Sequence, residues 1–98
     1  MMAAIQIVRF HTKEGTDEAA FAALNERFQR EVTPTLPGLV RREATRADDG
    51  EWVLILRYTS KEAAQQAGKR DTGDVAMAFM SHIDMSTMSA GFYEIVSE

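Results

Sequence analysis

No cysteine occurs anywhere in the chain, which excludes disulfide bridges, thiolate metal sites and a cysteine nucleophile. Imidazole is nearly as scarce: His11 and His82 are the only histidines, so no metal site is expected. Basic charge is outweighed, with 11 Lys and Arg against 15 Asp and Glu and a formal net charge of −4. The longest basic pieces, Arg41-Arg42 and Lys69-Arg70, have acidic neighbours, so nucleic acid is not an expected partner. No apolar run approaches the roughly 20 residues that span a bilayer. Residues 1–7 lack the length and basic start of a signal-peptide core. A cytoplasmic protein with no membrane partner is the expectation.

With 98 residues there is room for a single domain, residues 1–98. A chain of this size buries only roughly 60–65% of the surface its unfolded form exposes, so its stability is marginal. With disulfides excluded and metal unexpected, self-association is the remaining reinforcement.

Residues 3–12, AAIQIVRFHT, form a β-rich run with apolar residues on both parities. Such a strand is covered on both faces. Residues 13–16 make a turn, and Asp17 and Glu18 set negative charge in the first turn of a helix over residues 17–32. Phe21, Leu24, Phe28 and Val32 recur at helical spacing and make one apolar stripe. Pro34 stops the helix, and Pro37-Gly38 suits the two centres of a type II turn. Leu39–Arg46 is a charged strand suited to a sheet edge, whereas residues 52–59 read WVLILRYT and suit the centre. Asp49-Gly50 marks the hairpin between them. Ser60 is a plausible N-cap for a short helix, Lys61–Ala67, ended by Gly68. A polar loop at residues 69–73, a helical piece at 74–82 and a last strand within GFYEIVS complete the chain. Gly91 in that strand suggests a bulge or a close approach.

The order β-α-β-β-α-β predicts an α+β, ferredoxin-like split βαβ fold with one four-stranded antiparallel sheet and helices on one face. No helix remains for the second face, although two strands are apolar there. A homodimer through the open sheet face, a dimeric α/β barrel, answers that need.

The peptides LPGLVRREATRADDGEWVLILRYTSKEAAQQ, DVAMAFMSH and GFYEIV resemble the antibiotic-biosynthesis monooxygenase-like family. The resemblance is one of layout over nearly the whole chain. It implies dimeric α/β barrels and cofactor-independent oxygenation of phenols or quinols, with haem degradation and regulatory roles among relatives. Haem degraders of that family carry an Asn on the first strand, a Trp in the short helix and a His in the next helix. The matching positions here hold Gln6 or Val8, then Gln65, Gln66 or Ala67, then Met80, so haem degradation is not expected and no cofactor is implied.

Among residues able to carry chemistry, His82 is the helix-borne imidazole and the candidate general base; the plain alternative is a helix-end residue suited to the dipole. Phe28, Phe79 and Met80 are candidates to line a cavity for a flat apolar or aromatic ligand, or else ordinary core. Trp52 offers a stacking surface, or a packing role beside its turn. Arg9 and Arg57, on neighbouring strands, offer cations for a phenolate or carboxylate, or ion pairs at the sheet rim. The expected function is a small cofactor-independent monooxygenase-like enzyme acting on an aromatic, quinol or polyketide-like substrate. The alternative is a non-catalytic dimeric ligand-binding or stress-related protein on the same fold.

Overall fold

The computed structural model describes residues 3–69 and 73–98. The elements are β1 (Ala4–Thr12), α1 (Glu18–Glu31), β2 (Leu39–Arg46), β3 (Trp52–Tyr58), α2 (Lys61–Ala67), α3 (Gly73–Ser81) and β4 (Ile83–Glu94). A 3-10 turn at Thr33–Thr35 follows α1, with Pro34 in its first turn. The four strands form one sheet in the order β2-β3-β1-β4, and every pairing is antiparallel. This is the ferredoxin-like arrangement expected from the sequence.

Local chemistry sets the boundaries. The Asp17 carboxylate accepts hydrogen bonds from the backbone N–H of Ala19 and Ala20 at 3.0 and 3.1 Å, which caps α1. The Ser60 hydroxyl accepts from Ala63 N–H at 3.0 Å and caps α2. Leu36 C=O accepts from Leu39 N–H at 3.2 Å, and Gly38 between them has φ +79°, so Pro37-Gly38 forms the expected type II turn.

Alternation then sorts the strands. In β3, Trp52, Leu54, Leu56 and Tyr58 are buried under the helices, while Val53, Ile55 and Arg57 face the other way. Ala4, Val8 and Phe10 of β1 join that inner layer, and Phe21 of α1 and Phe79 of α3 press on it from above. Phe10, Phe21, Tyr58 and Ile83 are the largest side chains withdrawn from solvent. Truncating an aromatic of this kind to alanine costs about 3–5 kcal/mol.

Two features differ from the sequence expectation. The last strand is not confined to the tail: β4 begins at Ile83, directly after α3. Its register against β1 breaks between Arg9 and His11, where residues 85–88 bulge out and the Thr87 hydroxyl accepts from His11 N–H at 2.9 Å. Gly91 is not the bulge. It lies under the Tyr93 ring, whose hydroxyl stands 2.7 Å from where a Cβ would sit. The polar loop expected at residues 69–73 falls largely outside the described residues, and Gly73 already belongs to α3.

Gly38 is the tightest junction between the sheet and α2. A Cβ there meets Ala63 Cβ at 2.7 Å on a backbone already at φ +79°. Gly38→Ala is expected to lower unfolding free energy by about 1–3 kcal/mol, through both strain and overlap. Urea denaturation checks this, and an unchanged midpoint would show that α2 moves aside without cost.

Candidate functional site

α1 is a 14-residue helix and covers much of the sheet, but α2 and α3 are short and present small side chains inward, Ala64, Ala67 and Ala76. The space they leave over the sheet is a cleft of about 360 Å³ between β1, β3, Arg42 of β2 and the helices. Its floor is Val8, Leu54 and Leu56; Phe28, Phe79 and Met80 form its walls. Three polar groups enter it: Gln6, Arg42 and Tyr58. An apolar space of this size with a few convergent polar groups is the usual form of a small-molecule site. A groove of about 520 Å³ outside α2 has no aromatic residue and no titratable side chain but Glu62, and offers no comparable chemistry.

Arg42 is the residue that sequence reasoning missed. It is only 5% exposed, although it lies on the charged edge strand. Its Nη2 donates to Asn25 Oδ1 at 2.8 Å and its Nη1 to Gln29 Oε1 at 2.9 Å, both on α1. The guanidinium lies over the Phe28 ring at 4.6 Å and near the Phe79 ring at 5.6 Å. Burial lowers its pKa to about 10, against the pull of Glu26 and Tyr58, and it remains a cation at neutral pH. The register explains why alternation concealed it. Leu39 pairs with Tyr58, but Arg41 already pairs with Arg57, so Val40 is an extra residue in β2. Counting by twos from the inward Leu39 sends Arg42 to the outside; the bulge brings it in.

Tyr58 is buried beside it on β3, and burial raises its phenol pKa above the ordinary value, only partly offset by Arg42. The phenol therefore stays neutral and keeps its proton to donate.

The sequence-derived candidates separate into three groups. Phe28, Phe79 and Met80 do line the cleft. So do Gln6, Val8 and Ala67, positions where the haem-degrading pattern is missing. His82 does not reach it. The last turn of α3 ends at Ser81, and His82 is exposed, with its ring edge-on to Phe21 at 5.9 Å. The placement of a base in the cleft is thus corrected: a helix end faces solvent while Phe79 and Ile83 take the inward positions. Trp52 takes the packing role beside its turn and offers no stacking surface to the cleft. Its even parity on β3 buries it at the hairpin end, stacked 6.3 Å from Phe10 and edge-on to Phe21 at 5.0 Å, away from the cleft lining. Arg9 and Arg57 lie on the opposite sheet face, the first paired with Glu51 at 3.6 Å and the second with Glu98. Neither meets the cleft, because odd residues of β1 and β3 point away from the helices.

No protein-family model matches the sequence, and no curated protein matches it. Solved structures do. SnoaB, a cofactor-independent oxygenase from Streptomyces nogalater, superposes with a TM-score of 0.78 at 20% identity, over 100% of this chain and 97% of that one. A proposed antibiotic biosynthesis monooxygenase from Caulobacter crescentus gives 0.77 at 15% identity, over 98% and 92%. NE2512 from Nitrosomonas europaea, a protein of unknown function, gives 0.75 at 18% identity, over 100% and 93%. The fold is the one the sequence resemblance implied. At these identities the likeness is one of fold.

The environment of Tyr58 is open to direct test. In an ultraviolet absorbance titration its phenolate is expected only at pH above the ordinary tyrosine range, near 10. Tyr58→Phe should remove that late component. Loss of an early component instead would show that Tyr58 is solvated.

Proposed function

We propose that the chain is a small oxygenase-like enzyme that takes a flat phenol or quinol in the cleft between sheet and helices and passes electrons from it to oxygen without a cofactor. The observation that carries this reading is the aromatic cleft of about 360 Å³ with Arg42 and Tyr58 converging on it. The likeness to a cofactor-independent oxygenase supports it at the level of fold.

The chemistry balances with the substrate as the only reductant. A phenol with a free para carbon ionises, and the anion gives an electron to O₂. The resulting radicals join as a new C–O bond at that carbon. Cleavage of the O–O bond leaves a quinone carbonyl and expels the second oxygen as water. For 1-naphthol, one O₂ yields 1,4-naphthoquinone and one water. Within this scheme Arg42 stabilises the anion, Tyr58 donates a hydrogen bond to a substrate oxygen, and the apolar walls exclude bulk water.

The position of His82 favours a second reading, a binding protein that holds an aromatic ligand without turnover, because the cleft lining contains no imidazole to accept a proton. Oxygen-electrode measurements with 1-naphthol and 1,4-dihydroxynaphthalene separate the two. Uptake above the uncatalysed rate, with quinone formed, is expected for the enzyme. His82→Ala should leave the rate unchanged, and Tyr58→Phe should reduce it about tenfold. Absence of uptake on both compounds would leave only the binding reading.

The same proposal includes a homodimer. Ile5, Ile7, Val53 and Ile55 form a contiguous apolar patch on the face away from the helices, where Ile7 pairs with Ile55 and Gly91. A second copy laid on that face covers it, and obligate interfaces of this kind bury about 2,000 Å² or more in total. Sedimentation equilibrium at micromolar concentration is expected to give twice the 10.9 kDa chain mass. Ile55→Asp should shift it to monomer. A wild-type monomer would refute the pairing.

A further inference from the structure

The cleft holds a charge that its neighbours orient without neutralising. Both hydrogen-bond acceptors on Arg42, Asn25 Oδ1 and Gln29 Oε1, are neutral amides. Among the described residues no carboxylate lies within ion-pair distance of it. Glu26 acts on it only at longer range. A guanidinium carries five N–H donors in a rigid fork, and these amides take two of them. Buried arginines are almost always matched by an anion, because an unmatched charge taken out of water costs several kcal/mol. The amides hold the fork in place, and the adjoining rings of Phe28 and Phe79, 5.2 Å apart, stabilise it from one side. Among the described residues the remaining donors have no anionic partner. The protonated Tyr58 phenol lines the same space and adds a further donor.

We infer that the cleft is an oxyanion site for a planar aromatic ligand, an aryl carboxylate or an ionised phenol, whose oxygen pairs with Arg42 while its ring lies against the wall formed by Phe28, Phe79 and Met80. The inference rests on reading this cleft as the substrate site, and it narrows the substrate to its anionic form. It also supplies what the absent imidazole does not. A cation that binds phenolate better than phenol shifts the ionisation equilibrium of the bound substrate, with the proton leaving to solvent. Stabilised charge then replaces a proton acceptor.

Calorimetric titration of the full chain with 2-naphthoate and its neutral isostere 2-naphthamide tests the site without any oxygen chemistry. The carboxylate is expected to bind about tenfold more tightly or better. Arg42→Gln should abolish that preference while still binding the amide. A second measurement needs only the wild type. Bound 2-naphthol, followed by its naphtholate absorbance, should ionise about one pH unit or more below its value in buffer. Equal wild-type affinities for the two naphthyl compounds, failure of both to bind, or an unshifted 2-naphthol ionisation would each overturn the inference. Oxygen uptake on 1-naphthol without charge selectivity would overturn the anion site and leave the oxygenase reading. Charge selectivity without oxygen uptake would do the reverse.

Discussion

A four-stranded sheet has two faces to cover, and this chain has one long helix and two slight ones for the task. That shortage shapes everything else. Over β1 and β3 the long helix delivers Phe21, and the interior there is closed. Where α2 and α3 take over, the inward residues besides Phe79 are alanines, and their small volume leaves a cleft instead of packed core. Protein interiors seldom retain such spaces, so a void of this size lined by aromatic rings reads as a place kept for a ligand. Among the described residues no helix covers the other face, and isoleucine and valine stand where a solvated sheet would carry polar side chains.

Arg42 gives the cleft its character. A lone cation among phenyl rings is expensive in isolation, yet here it is fixed from several directions. Two amides from α1 hold its edge, two adjoining rings meet it from one side, and the bulge at Val40 aims it inward. Each contact is individually modest. Together they fix the position of a group whose flexible stem would otherwise sample many rotamers, so an incoming anion loses little further entropy in meeting it.

Most of the fold was legible in the sequence because its signals are local. Ser60 caps a helix where a hydroxyl is expected to, Asp17 sets negative charge at the start of α1, Pro37-Gly38 turns at a positive φ that suits glycine, and WVLILRY alternates into a central strand. β4 was not legible over its full length. IDMSTMSA lacks β-branched density, and this edge strand owes its form to non-local pairing with β1. The site was legible in part. Phe28 and Phe79 announced themselves by helical spacing, but Asn25 and Arg42 are polar residues whose burial depends on each other across 17 positions of sequence. His82 and Trp52 drew attention as chemically distinctive residues, and packing assigns both to other places. Chemical distinctiveness marks what a side chain can do, while parity and register decide where it stands.

The seclusion of Trp52 has a practical side. It is the only indole in the chain, stacked on Phe10 and edged by Phe21 at the hairpin end of the interior. Between it and the cleft stand two rings, Phe21 and then Phe79, themselves stacked at 4.9 Å. Its emission therefore reports whether the aromatic cluster is assembled. Read on the ligand-free chain, that one intrinsic signal follows the integrity of the fold, which separates a variant's loss of structure from its loss of binding.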